Sequence, residues 1–434
     1  MGGGFVRRNG SVKKAAVLLA AMTLTGCSFG TPVENLLSPP VMSQIQEDIQ
    51  NALTDAVGSD ITPVYPRSGE YRSAYVICDL DGDGREEAVA FYRNEDDPSR
   101  VRVNVLSNED GWHSVFDHAA PGSSVESVYI TKFSSDNIYL AVGYGYAARA
   151  DKTLCVYDYT DGRLANRYSE VYSRLEYVDI NLDGGDDIVL LNGNTDEHPA
   201  YASLVTDTGE GVDCTSAVRM RNTTAELVHS VSGGLGGGAA AVFADSASAS
   251  GNISTEIIYC VEGELRDPAA MDDSEIPSLT SRRGLYSTDI DGDGVVEIPT
   301  IEPFPGYRDT ESQYVTNWNV YENYTLVNKY SSLYEPKSGY CFMLPVRWDG
   351  LVTVRTDSSS GEKVFYKFNT TLAESRLELM RIAVCAPSQK DDLELKGYYE
   401  VISGAETIMV QAGDTDDTLV LTPAEVENGM YAVK

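Results

Sequence analysis

Histidine, tryptophan and positive charge are all scarce in this chain: four histidines, three tryptophans and 33 Lys plus Arg in 434 residues. His113, His118, His198 and His229 stand apart, without HExxH or HxH spacing, so no histidine-built zinc site is written here and each reads as a surface or core residue. No Gly-x-Ser-x-Gly elbow occurs, and the glycine run at 233–238 lacks the Lys-Ser/Thr that completes a phosphate loop. Asp272, Asp273 and Glu275, beside Pro268 and Pro277, read as a solvated acidic loop, and no catalytic residue is assigned. The 66 acids leave a formal net charge of −33. That balance excludes nucleic acid as a partner, because affinity there comes from neutralising phosphates, and a bare acidic bilayer would repel the chain as well. Cysteines come singly, without CxxC, which excludes a zinc ribbon or a dense disulfide framework. Buried thiols are expected at Cys78, Cys155, Cys214, Cys260, Cys341 and Cys385, with a disulfide as the alternative.

What the chain does contain is an aspartate loop written three times. It runs Asp79-Leu-Asp81-Gly-Asp83-Gly84-Arg85-Glu-Glu87, then Asp179-Ile-Asn181-Leu-Asp183-Gly184-Gly185-Asp-Asp187, then Asp289-Ile-Asp291-Gly-Asp293-Gly294-Val295-Val-Glu297. Oxygen side chains stand at positions 1, 3, 5 and 9, glycine holds the turn at position 6, and the carbonyl of Arg85, Gly185 or Val295 is available at position 7. Six to eight oxygens suit calcium, whereas magnesium demands a stricter octahedron. The expectation is about three structural Ca2+ ions, one per loop. The alternative is a solvated acidic turn without metal.

An EF-hand would need a bidentate glutamate at position 12 between helices, where this chain has Ala90, Leu190 and Thr300. The flanks, Ser73 to Cys78 and Glu87 to Tyr92, read instead as strands rich in β-branched and aromatic residues. Strand, nine-residue aspartate loop and strand resembles the FG-GAP and VCBS-type repeats of β-propellers, including those of integrin α-chains. The resemblance implies a propeller whose loops hold calcium.

The leader, residues 1–26, places Arg7, Arg8, Lys13 and Lys14 before an apolar run from Ala15 to Leu24, the pattern of a signal peptide. Its end, Leu24-Thr25-Gly26-Cys27, resembles the bacterial lipobox, which implies cleavage before Cys27, lipidation of Cys27 and an extracytoplasmic, membrane-anchored chain. No later apolar stretch is long enough to cross a bilayer. Residues 27–40, with three prolines, read as a tether. Residues 41–58 carry Val41, Ile45, Ile49, Leu53 and Ala56 at helical spacing, and are expected to form an amphipathic helix packed on the propeller.

The loops begin at 79, 179 and 289, twice a blade length apart, which predicts repeats without acids between them. Ser127 to Phe133 with Ile138 to Tyr144, and Glu226 to Val231 with Ala239 to Phe243, supply those strand pairs. Turns at Asp110-Gly111, Asp161-Gly162, Thr208-Gly209, Glu262-Gly263 and Glu322-Asn323 mark a hairpin in each repeat. The fold class is therefore mainly β: a β-propeller of about five four-stranded blades over residues 59–337, followed by a small α+β domain over 338–434. Thr422-Pro423-Ala424-Glu425 announces a terminal helix through its capping box. Clustered tyrosines, Tyr144, Tyr146, Tyr307, Tyr314 and Tyr321 among them, fit half-buried strand faces or a face that stacks on a ligand. Two functions follow from this reading: a lipid-tethered calcium-binding module for a protein or glycan ligand at the cell envelope, or a glycan-active hydrolase or lyase on the same scaffold.

Overall fold

The computed structural model describes residues 43–195, 198–221, 226–271, 274–308 and 313–433. The leader, Cys27, the tether, and Asp272 with Asp273 lie outside the described residues. The chain divides into two compact units, Met1–Asn51 and Ala52–Lys434. The helix Gln44–Val57 runs through the division, with Ile49 and Leu53 buried and Ile45 exposed. No helix among the described residues is long and apolar enough to cross a membrane.

The second unit is mainly β, and its sheets form in chain order. The first runs Ile61–Pro63, Glu87–Asn94, Asp97–Ser107, His113–Ala119, with Tyr75–Cys78 also paired to Glu87–Asn94. The second holds Ser124–Thr131, Tyr139–Gly145, Lys152–Thr160 and Arg163–Tyr172 as antiparallel neighbours, with Ser68–Gly69 parallel at its edge. The third is Arg174–Val178, Asp187–Asn192, Tyr201–Asp207 and Val212–Arg219; the fourth is Glu226–Gly234, Ala240–Ala247, Asn252–Val261 and Glu264–Arg266. Local turn chemistry explains these meanders. Asp161-Gly162, Glu262-Gly263 and Asn323-Tyr324, the last one residue beyond the turn read at Glu322-Asn323, have positive φ, the backbone of two-residue hairpin turns, and Asp110-Gly111, also positive, lies in the five-residue loop between Ser107 and His113.

The second strands are apolar on both faces because both faces are covered. Asp187–Asn192 is buried throughout. Its Ile188 and Leu190 pack with Leu154 and Val156 of the second sheet, while Val189 and Leu191 pack with Val242 and Ile258 of the fourth. Val89 and Phe91 of the first sheet likewise meet Val128 and Val142 of the second, and Phe243 and Ile257 of the fourth meet Ile298 and Tyr321 of the fifth. Each such side chain contributes about 1.5–3 kcal/mol on burial, so face-to-face stacking of successive sheets is the main source of cohesion.

The fifth sheet differs from the sequence reading at both ends. Before its loop, strand pairing shrinks to a single bridge, Thr288 with Glu297, because Ser287 is drawn into a buried network described below. After Tyr314–Glu322 and Thr325–Glu335, the sheet continues into Tyr340–Met343 and then takes the terminal strand Met430–Ala432. The boundary read at 338 therefore falls inside a sheet, and 338–434 shares the compact unit of the preceding strands. The sixth sheet, Val352–Thr356, Lys363–Lys367, Glu378–Cys385, Thr407–Ala412 and Tyr399–Ile402, packs Val354 and Phe365 against Phe342 of the fifth. The terminal helix Pro423–Gly429 carries the capping box in full, with Thr422 and Glu425 each bonding the other's backbone amide. All six described cysteines are free; Cys155, Cys341 and Cys385 are buried, but Cys214 is exposed.

Candidate metal centres and a buried charge network

In all three loops the position 1 aspartate organises the backbone. Asp79 accepts from the amides of Gly82 at 2.7 Å and Gly84 at 3.0 Å; Asp289 accepts from Gly292 at 2.7 Å and Gly294 at 2.8 Å; Asp179 accepts from Gly184 at 3.0 Å. Position 6 requires glycine, since φ is +87° at Gly84, +94° at Gly184 and +84° at Gly294.

The carboxylates of positions 1, 3 and 9 then converge. Ligand oxygens of Asp79, Asp81 and Glu87 lie within 4.8 Å of one another, as do those of Asp289, Asp291 and Glu297. These two acidic clusters can hold a metal ion. Position 5 pairs with a basic side chain instead: Asp83 turns to the Arg85 guanidinium at 2.6 Å, and Asp293 takes the Lys329 ammonium at 2.6 Å, which it shares with Asp291 and Glu297. Arg85 also reaches Glu109 at 3.1 Å. The second loop gathers Asp179, Asn181 and Asp183 through the Asp183 amide, which donates to Asp179 at 3.0 Å and Asn181 at 2.9 Å.

Position 9 is where the donor set calls most strongly for a cation. Glu87 and Glu297 are buried and each accepts a backbone amide at 3.0 Å, from Leu80 and Ile290. Burial raises the pKa of both. Asp187 is fully buried, and neither of its oxygens has a hydrogen bond. Desolvation drives its carboxyl up to about 6, although Thr206 and the Asn181 backbone lie close enough to oppose the rise. A buried carboxylate with only such marginal donors is costly unless a cation joins it. The residues of the first and third loops fit a hard divalent ion, whereas Asp179, Asp183 and Asp187 of the second are not brought together as a cluster of three carboxylates.

The loops also sit at the seams between sheets. Thr131 of the second sheet donates to the Asp186 carbonyl at 3.1 Å, and Gly185 lies so close to the Phe133 carbonyl that no Cβ could fit. In the third loop the Gly234 amide donates to the Gly294 carbonyl at 2.7 Å, and Val296 donates back to Gly234 at 3.1 Å. The first loop rests Leu80 among the side chains shared with the second sheet, Tyr159 included. The glycine run near 233, read as a turn, thus begins as the strand that docks the third loop.

One cluster went unread in the sequence. Arg282 and Asp245, neither side chain exposed, pair at 2.8 Å. Arg282 further donates to Thr255 at 2.7 Å and to the Thr280 and Leu285 carbonyls at 2.9 and 2.8 Å, while Asp245 accepts from the Ser287 amide at 2.7 Å. Burial alone would raise the Asp245 pKa, but His229, Arg282 and Thr255 bring it down to about 2. The Asp245 carboxylate accepts from His229 Nδ1 at 3.2 Å, and the imidazole stacks on Tyr286 with centroids 4.9 Å apart. His229 and Tyr286 line a cleft of about 290 Å³ with Trp318, Tyr334 and Pro336. Of the remaining histidines, His113 and His198 are exposed, and their rings bond the nearby Gly111 and Pro199 carbonyls.

Elsewhere two buried acids, Asp267 and Glu256, 5% and 1% exposed, lie together. Burial first, then the Glu256 carboxylate, raises the Asp267 pKa.

No family model matches the chain, and no curated protein matches it. Among solved structures it is similar to the exotype rhamnogalacturonan lyase YesX, with 12% identity and TM-score 0.26 over 69% of this chain and 61% of that one. It is also similar to the β-propeller domain of the Trilobed protease from Pyrococcus furiosus, with 9% identity and TM-score 0.27 over 69% and 79%, and to a hypothetical protein from Leishmania major, with 12% identity and TM-score 0.24 over 64% and 97%. The chain spans about three fifths of the lyase's length. TM-scores this low carry neither fold nor function over to this chain.

Proposed function

We propose that this chain is a calcium-stiffened β-propeller, its first five sheets serving as blades, held on the outer face of a bacterial membrane by a lipid on Cys27. It acts as a binding or scaffold module for a protein or glycan at the cell envelope, with up to three calcium ions in the aspartate loops. The observation that carries this reading is Asp187: a fully buried carboxylate with neither oxygen hydrogen-bonded, in a loop seated on the neighbouring sheet. Calcium there would offset the desolvation of the carboxylate and tie the loop's oxygens together, fixing a joint between two sheets. The acidic surface favours a ligand recognised by aromatic stacking and hydrogen bonds rather than by phosphate.

Hydrogen exchange with calcium or with chelator tests it. Amides of Ser124–Thr131 and Arg174–Val178, which flank the second loop, should gain protection with calcium; equal exchange in both conditions contradicts the reading. Labelling with radioactive palmitate, lost in Cys27→Ala, tests the anchor, and a glycan array with an envelope pull-down identifies the ligand.

A second reading, a glycan-active enzyme, has one observation in its favour: an imidazole oriented by a buried carboxylate at the edge of an aromatic cleft. Polysaccharide breakdown by the wild-type chain, abolished in His229→Ala, would support it. An inactive wild-type chain leaves the binding module.

A further inference from the structure

The three aspartate loops are alike in sequence, but the third already contains a cation. Lys329, on the strand Thr325–Glu335, places its ammonium 3.0 Å from Asp291, 2.6 Å from Asp293 and 2.8 Å from Glu297. These are the carboxylates of positions 3, 5 and 9, two of them belonging to the metal-competent cluster. Only a fifth of the lysine side chain is exposed, and Glu297 is wholly buried.

The position of Lys329 within its sheet makes the contact more than a chance surface pair. In four sheets the last strand of the four-stranded meander carries one extra residue opposite its preceding neighbour, a β-bulge that re-aims a side chain. That residue is Val115 in the first sheet, Arg167 in the second, Thr215 in the third and Lys329 in the fifth. Aspartate loops belong to the first, third and fifth sheets. In the first and third the bulge residue is uncharged; in the fifth it is a lysine long enough to reach the loop. Arg167, in the loop-free second sheet, binds Asp158 of its own sheet at 2.7 Å.

We propose that the Lys329 ammonium is the resident cation of the third loop, so that calcium enters the first and second loops only. This inference rests on the calcium reading above. An ammonium held at a bulge within a packed strand is present at high effective concentration, and its three donors match three carboxylates. Calcium would have to expel it and leave a desolvated lysine beside a doubly charged ion. Loops of this kind bind calcium at about 10⁻⁴ to 10⁻³ M when nothing competes, so a competing internal charge takes the third beyond the range in which calcium is found outside cells. The third joint would then stay closed when calcium is withdrawn, while the first two loosen.

Equilibrium dialysis of the purified chain against radioactive calcium at a few millimolar counts the ions. The expected count is two per chain, unchanged in Asp291→Ala, lowered to one in Asp81→Ala, and raised to three in Lys329→Met. A count of three for the wild-type chain, or a count of two that falls in Asp291→Ala, overturns the inference but keeps the calcium reading. So does a folded Lys329→Met that still binds two. A count of zero overturns both.

Discussion

Arg282 and Asp245 face each other at 2.8 Å with no part of either side chain in contact with solvent. Such a pair is costly to half-remove, because the surviving charge is left buried and unpaired. Asp245→Asn should destabilise the chain by about 3–5 kcal/mol, measured as the shift of the urea midpoint at neutral pH. The acid limb carries the same information. The Asp245 pKa is lowered from 3.8 to about 2, so its contribution is fully present above 3.8 and lost as pH falls through 2. That contribution is on the order of 2 kcal/mol. Urea midpoints between pH 5 and pH 2 should fall more steeply for wild type than for Asp245→Asn.

Asp267 titrates in the opposite sense. Its carboxyl is held protonated by burial and by Glu256, so the folded chain binds a proton that the unfolded chain has released, and stability falls as pH rises above the ordinary carboxylate range. Asp267→Asn keeps an acceptor for the Ala269 amide, now at 2.9 Å, and removes the proton. The variant should melt higher than wild type at pH 8, with the gap narrowing toward pH 5. A gap that widens toward pH 5 contradicts the assignment.

Much of this architecture is legible in the chain, and the parts that are not share a physical cause. Strand alternation, Asp-Gly turns and the aspartate loops are local signals, and they lie where the structure puts strands, turns and, in the first and third loops, carboxylate clusters. Lys329 and Glu297 are 32 residues apart, and Arg282 and Asp245 are 37 apart. Strand registry brings these partners together, and a bulge residue such as Lys329 cannot be told from its neighbours by composition. The edge of Thr325–Glu335 was equally silent: nothing near Pro336 announces that Tyr340–Met343 will extend the same sheet. His229, isolated in the sequence, gains its orientation from Asp245 on the adjacent strand.

Gly185 and Gly237 make a matched pair of alanine tests. A Cβ at Gly185 would overlap the Phe133 backbone, whereas one at Gly237 meets nothing within 4 Å. Gly185→Ala should cost about 1–3 kcal/mol by prying the second loop from the second sheet. Gly237→Ala should leave the melting temperature nearly unchanged. Equal effects would mean that the loop does not seat on its neighbour.

Neutralising Asp187 should act in opposite directions with and without metal. In chelator, Asp187→Asn removes an uncompensated buried charge, so the variant should melt above wild type by several degrees. In calcium it lacks the buried anion that draws the ion, so the order should reverse. Differential scanning calorimetry in both buffers reads the crossing.

The most direct measurement is the melting temperature of the purified chain in calcium, in magnesium and in chelator at matched ionic strength. A rise confined to calcium, and abolished when Asp81 and Asp187 are replaced together, is the predicted result. Three superimposable melting curves would contradict the claim that metal in the aspartate loops holds the sheets together.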